Sequence, residues 1–303
     1  MTVLDPTLEE LSIIPEDKLE ELKKEHVFTA YQMLLTPQKA LEKCFEKEEA
    51  KKLLSILQTK VKGVYRVTDK SITPPRTKIS TSLKTLDSIL NNGITSAEIT
   101  EICSEQRYPR TLLCYNIILK LIQEHIDAKV LYNDPYGMFR PEGLIKLGNL
   151  YGLKAEHIIN KIFIFHPYTV DQQFDVFKIY GNVFERHHPC MIVVDGIGDF
   201  FRLAAKKRSI IYNRIKALEG FILKLKYIVA KDNIYAILLN NTVKKFDTET
   251  FLPEFDTIIG PYIETKILLQ RIDLTNWNAK VIKNRKTEVL QFSLTTYGAG
   301  DTI

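Results

Sequence analysis

Five cations in one short stretch are the residues of this 303-residue chain with the plainest chemistry. Arg202, Lys206, Lys207, Arg208 and Arg214 all fall within FFRLAAKKRSIIYNR. Clustered Lys and Arg bind phosphates without sequence preference, and Phe201 or Tyr212 beside them could stack on a base. A second pair, Lys244 and Lys245, follows the run ILLNNTV, but Asp247, Glu249, Glu254 and Asp256 come soon after and oppose tight polyanion binding there. The net charge of +5 permits a polyanionic partner without requiring one. Cys44, Cys103, Cys114 and Cys190 form no C-x-x-C pair and no histidine cluster joins them, so no metal site and no disulfide framework is expected. His187-His188 before Pro189 reads as an exposed turn, the aromatics of VFKIYGNVF as the inner face of a helix, and Trp277 as the cap of a hairpin turn.

The elements that would carry these residues follow from periodicity. Residues 1–62 read as helix only: LEELKKEHV has helical spacing with i,i+4 Glu-Lys pairs, Pro37 can open PQKALEKCF behind Thr36, and EKEEAKKLLSILQTKV is amphipathic. Gly63, the Pro74-Pro75 pair and scattered polar residues mark 63–78 as a linker. From Ile79 onward, short runs that are apolar on both faces (EITEIC, KVLYND, KIFIFH, CMIVVD, YAILLN) alternate with the helical stretches TLLCYNIILKLIQEHI, VDQQFDVFKIYGNVFERH and IYNRIKALEGFILKLKYIVAKD. Doubly apolar strands alternating with helices imply a parallel sheet covered on both faces. ETKILLQRID, NAKVIKN and LQFSLTT read as a closing antiparallel set. Apolar residues make up 45% and charged residues 26%, and no apolar run reaches the roughly 18 residues of a membrane span, which predicts a globular chain without a membrane. The acidic N-terminus MTVLDPTLEELSIIPEDK lacks the order of a signal peptide, so an intracellular location is expected.

Five segments, in order over about 220 residues, resemble the RecA/RadA family of DNA strand-exchange ATPases. ISTSLKTLDSILNNGITSAEITEI is similar to the entry of the RadA core, with Thr81, Leu86-Asp87, Gly93 and Ile99-Thr100-Glu101 in register. YNDPYGMFRPEGL shares its Phe139–Glu142 core, MIVVD sits where the Walker B strand belongs, ILLNNTV where the phosphate-sensing strand belongs, and FSLTTYGAGD resembles the terminal strand. The Phe-Arg-Pro-Glu core and compact C-terminus look closer to archaeal RadA than to the more divergent eukaryotic paralogues. The resemblance implies a RecA-like P-loop core of α/β class with a mostly parallel central sheet over 79–303, and a small all-α, helix-hairpin-helix-like domain over 1–62.

Set against that family, the chain departs at the residues that would handle ATP. A P-loop needs Gly-x4-Gly-Lys-Ser/Thr, whose backbone N–H groups cradle phosphate while the lysine and hydroxyl reach phosphate and magnesium. The aligned stretch is Ser104-Glu105-Gln106-Arg107-Tyr108-Pro109-Arg110-Thr111. Both glycines are lost, Pro109 deletes an N–H, and Arg110 replaces the lysine with a forked, planar cation. Tyr136 stands where the resemblance places a catalytic glutamate, and a phenol with a pKa of about 10 is a poor base at neutral pH. Asp134 is a doubtful substitute, two residues away on an extended strand. Thr242 replaces the family's sensing glutamine, with Asn241 retained. The two basic segments match the family's DNA-binding loops, whereas Cys44–Glu49 lacks the glycine of a DNA-binding hairpin and carries three acids. Tyr65-x-x-Thr68 is the nearest match, with Val64-x-x-Val67, to the linker motif by which the family self-assembles.

The resulting expectation is an accessory recombinase paralogue in homologous recombination and DNA repair, a pseudo-ATPase. It would bind a RadA-type recombinase or another paralogue, through Tyr65 and Thr68, and single-stranded DNA, through Arg202, Lys206, Lys207 and Arg208 with Lys244 and Lys245. No cofactor is expected; ATP with magnesium, if retained, would be held weakly by Arg110, Thr111 and Asp195. Two alternatives stay open: a divergent DNA-dependent ATPase or strand-exchange protein with an unrecognised base, and a pure interaction subunit without DNA contact. The location would be cytoplasmic and nucleoid-associated in an archaeon, nuclear in a eukaryote.

Overall fold

The computed structural model describes residues 8–25, 27, 30–36, 38–60, 75–202, 208–244, 251–284, 286–295 and 298–301. The chain divides into two compact units, Met1–Pro75 and Arg76–Ile303. In the first, the described residues form five helices: α1 (Leu8–Leu11), α2 (Glu16–Lys24), α3 (Ala30–Leu35), α4 (Gln38–Leu41) and α5 (Lys47–Lys60). Ala50, Leu53 and Leu57 lie along one stripe of α5 and are buried with Leu22, Met33 and Leu41. The helix expected over PQKALEKCF stops at Leu41, because Cys44 and Phe45 turn inward to complete this core while Glu46, Glu48 and Glu49 stay exposed.

The second unit opens with β1 (Lys78–Ile79), α6 (Lys84–Ile89), β2 (Ile94–Thr95), β3 (Ile99–Ser104) and α7 (Arg107–Glu124). Then come β4 (Val130–Asn133), α8 (Pro141–Leu150), α9 (Ala155–Ile159), β5 (Ile162–Phe165), α10 (Val170–His187) and β6 (Met191–Asp195). α11 (Asp199–Arg202), α12 (Arg208–Asp232), β7 (Tyr235–Lys244), β8 (Phe251–Pro253) and α13 (Asp256–Ile259) follow, and β9 (Thr265–Arg271), β10 (Asn276–Lys283), β11 (Lys286–Thr295) and β12 (Gly298–Asp301) close the chain. Part of the expected linker belongs to this unit: Arg76 pairs with Glu98 at 2.5 Å, and the Thr77 N–H donates to Ser96 Oγ at 2.8 Å.

The central sheet runs β12-β11-β10-β9-β3-β7-β6-β4-β5, with β8 paired to β7. Pairings among β3 to β7 are parallel, and β10 to β12 add antiparallel. β9 was expected in the antiparallel set, yet it lies parallel to β3. Side chains alternate faces along each strand. Val130, Tyr132, Met191, Val193, Ile237 and Leu239 face α7 and α8, while Leu131, Ile192, Val194, Ala236 and Leu238 face α10 and α12. Burial on both faces is why these strands read as unbroken apolar runs. The expected α/β architecture with a mostly parallel sheet and a helical N-terminal unit is therefore the one observed.

Two expectations need correction. Trp277 does not cap a turn: it lies in β10 opposite Arg271, 6% exposed, and packs with Leu290 and Phe292. Its ring area outweighs the turn preference of its neighbours Asn276 and Asn278. The helix expected from Thr111 begins four positions earlier, at Arg107. Pro109 is no obstacle, because the first-turn N–H groups of a helix have no intrahelical partner and proline loses nothing there.

The segment before β3 shows how Thr81, Asp87 and Gly93 act together. Asp87 accepts from the Thr81 N–H at 2.8 Å, the Thr81 hydroxyl at 2.7 Å and the Ser80 hydroxyl at 2.5 Å, closing the loop onto α6. Gly93 has φ +108°, and a Cβ there would stand 2.0 Å from the Ile79 carbonyl oxygen. Gly93→Ala is expected to part β1 from β2 and cost about 1–3 kcal/mol, read as a lower urea midpoint. A midpoint equal to the parent's would show that this turn tolerates a side chain.

Candidate functional site

The Phe-Arg-Pro-Glu segment is built around aromatic packing. Phe139 sits edge-on to Tyr115 and Tyr132, at 5.5 and 4.8 Å between centroids, and Pro141 opens α8 at its first turn. Asp134, considered above as a stand-in base, is fully buried and accepts from the Met138 and Phe139 N–H groups at 3.0 and 2.7 Å. Its carboxylate therefore clamps the turn that carries Tyr136.

The C-terminal ends of β3, β6 and β7 converge beside the first turn of α7, the place where open α/β sheets bind ligands. Only Glu105 and Gln106 separate β3 from α7. Arg110 is 1% exposed; its guanidinium donates to the Ser104 carbonyl oxygen and to Asn241 Oδ1, both at 2.9 Å. Thr111 donates back to the Arg107 carbonyl oxygen at 3.1 Å, as a hydroxyl does inside a helix. Arg107 lies 3.7 Å from Asp195 and 3.4 Å from Asp199, with its guanidinium 5.1 Å from the centre of the Tyr136 ring. Arg202 reaches Asp199 at 2.9 Å and Glu254 at 3.4 Å, and Asn241 donates to both carboxylates at 3.3 Å. Tyr132 donates to Asp195 at 2.8 Å.

The result is a polar network in which Arg107 and Arg202 pair with Asp195, Asp199 and Glu254, and Arg110 joins through Asn241, three cations near three carboxylates. Burial pushes the Asp195 carboxyl up, and Arg107, the Tyr132 hydroxyl and Arg110 pull it back. Burial likewise lowers Arg110, against the attraction of Asp195 and Asp199. Gly196 makes the packing possible: with φ +100° it would carry a Cβ 1.8 Å from Asp199 Oδ2. Next to the network, Tyr108, Thr111, Tyr115, Met138 and Leu147 line a groove of about 370 Å³ rimmed by Arg140 and Lys146.

The structure thus gathers Arg110, Thr111, Tyr136, Asp195 and Arg202 around one point. Thr242 lies just beyond, opposite Pro253 in the β7–β8 ladder. Lys244 ends β7, exposed. Tyr65, Thr68, Lys206, Lys207 and Lys245 fall outside the described residues, and Arg208 opens α12 with its side chain outside them. Arg107 and Asp199 carried no expected role, and Glu254 was expected only as a charge opposing DNA. Arg107 and Glu254 carry no local mark, since their partners lie on other elements, whereas Asp199 pairs with Arg202 three residues on in the same helix.

A mostly parallel sheet covered by helices on both faces, with its site at the strand ends beside α7, defines a RecA-like core. The Rad51 family model matches residues 76–289, and the chain belongs to that family. It is similar to the DNA repair protein rhp51 of Schizosaccharomyces pombe, 26% identical over 201 residues, covering 65% of this chain and 55% of that protein. It is also similar to a DNA repair protein RAD51 homolog of Solanum lycopersicum, 26% identical over 174 residues, covering 56% and 51%. A meiotic recombination protein DMC1 homolog of Lilium longiflorum is 24% identical over 170 residues, covering 55% and 49%. The chain spans about half the length of the curated relatives it matches. No helix among the described residues is long and apolar enough to cross a membrane.

Proposed function

We propose that this chain is an accessory recombinase paralogue in homologous recombination and DNA repair, which binds a RadA-type recombinase or another paralogue, and single-stranded DNA, without efficient ATP hydrolysis. The observation that carries this reading is the commitment of Arg110. A triphosphate needs a forward-pointing cation and a ring of N–H donors. Arg110 instead points into the protein, held by Ser104 and Asn241. Helix occupies the stretch from Arg107 that a cradle would need, and Pro109 contributes no N–H. The residues present do not fit a magnesium-bound triphosphate, and Tyr136, stacked on Arg107, is not placed as a base. A lost general base alone costs roughly 10²–10⁴ in rate.

DNA contact rests on Lys206, Lys207 and Arg208 with Lys244 and Lys245; Arg202, expected among them, is held by Asp199 and Glu254. Partner contact rests on Tyr65 and Thr68 in the linker. The decisive measurement is binding of a fluorescent ATP analogue with magnesium, with and without single-stranded DNA. The expected outcome is no binding up to millimolar nucleotide. DNA-stimulated turnover abolished by Asp195→Ala would overturn the reading and favour a divergent ATPase. One observation favours a narrower second reading, nucleotide held without hydrolysis: the 370 Å³ groove is within the size range of small-molecule sites. Micromolar binding with no turnover would select it.

A further inference from the structure

The ionic network joins segments that lie far apart in the chain. Arg107 and Arg110 come from α7, Asp195 from the end of β6, Asp199 and Arg202 from α11, Asn241 from the end of β7, and Glu254 from the turn after β8. Two of these, α11 and the end of β7, are the roots of the two basic segments. The backbone there is tied as well: the Gly196 N–H donates to the Leu239 carbonyl oxygen at 3.0 Å, and the Glu254 N–H to that of Asn241 at 2.9 Å.

In nucleotide switches, an anion gathers loops around itself and releases them when it leaves. Here the gathering is done by the protein's own side chains. Asp199 and Glu254 hold Arg202 and Asn241; Arg107 in turn pairs with Asp199, and Arg110 donates to Asn241. The formal charges of the three arginines and three carboxylates cancel, so the network reaches balance without an added anion. A ligand shifts a conformational equilibrium only if it binds the two arrangements differently.

We propose that this network is a built-in substitute for nucleotide, which keeps the roots of both basic segments in a single arrangement and makes DNA binding constitutive instead of nucleotide-gated. The inference rests on the reading that the site does not handle ATP as a switch. It assigns Asn241 as the positioning residue between α7 and the two roots.

Hydrogen exchange of the full chain, followed by mass spectrometry with and without magnesium ATP, tests it. In the parent, peptides covering 196–202 and 239–244 are expected to exchange at the same rate with and without nucleotide. Asn241→Ala is expected to speed exchange tenfold or more in both peptides at once, while peptides of β4 and α10 stay unchanged and report that the fold is intact. Arg110→Lys, which keeps the charge but reaches only one of the two acceptors, is expected to do the same to a smaller extent. Slower exchange of either peptide on adding ATP, or loosening confined to the β7 peptide in Asn241→Ala, overturns the proposal. The DNA arm is separate: single-stranded DNA affinity unchanged by ATP supports constitutive binding. Absence of DNA binding rejects constitutive binding and the DNA part of the proposed function, while the exchange arm still decides whether the network holds the roots.

Discussion

Replacing Arg110 by alanine is expected to lower the stability of the Arg76–Ile303 unit by about 3–5 kcal/mol, the usual cost of leaving buried charge uncompensated. The mechanism is uncompensated charge. Arg110 is 1% exposed, and without it the network keeps two cations against three buried carboxylates, while the Ser104 carbonyl loses its guanidinium donor and Asn241 Oδ1 is left without the donor that positioned it. For a unit of this size, each kcal/mol shifts the melting midpoint by roughly 2–4 °C, so a drop on the order of 10 °C follows. Restoring the balance with Asp199→Asn in the same chain is expected to return at least about 1 kcal/mol, since residues in one network are coupled. Strictly additive losses in the double variant, read from urea midpoints, would show that Arg110 acts by packing alone. The same variant is not expected to gain ATP binding, because the missing N–H of Pro109 and the early start of α7 remain.

A second large effect belongs to Glu101, in the middle of β3 and fully buried. Burial raises its carboxyl from 4.5 to about 7, opposed by the Asn240 amide at 2.8 Å and by Lys266. The folded state thus holds this proton more tightly than the unfolded chain. Its contribution to stability is fully present below pH 4.5 and is lost as pH rises through about 7. The size of that loss is about 3 kcal/mol. Glu101→Gln keeps the acceptor for Asn240 and cannot ionise. It is expected to match the parent below about pH 4 and to exceed it by up to about 3 kcal/mol at pH 8. Asp195 and Asp232 are raised by burial too, so the parent's own pH profile mixes several groups, and the difference between parent and variant isolates this one. A difference that does not change with pH, in urea unfolding at both values, would falsify the assignment.

Much of the architecture was legible because its physics is local. Strands buried on both faces must be apolar without interruption, and helices packed on one side must repeat every three or four residues. These two textures located β3 to β7, and placed α10 at its observed bounds. The loss of both glycines between Ser104 and Thr111, and the tyrosine at 136, were equally open to reading, since they depend on which backbone groups a residue type can offer. What replaced the phosphate cradle was not legible. That α7 would start at Arg107, and that Arg110 would turn inward, depends on Asn241, an acceptor 131 positions along the chain. Glu254 looked like a charge opposing DNA until the fold set it against Arg202 and Asn241. Trp277 moved from turn to core for the same reason, because a sheet partner and a packed face were available to it. The sequence by itself determined the class of fold and the residues that ATP chemistry lacks; the tertiary structure decided what those positions do instead, because the partner of a buried charge is set by which strands become neighbours.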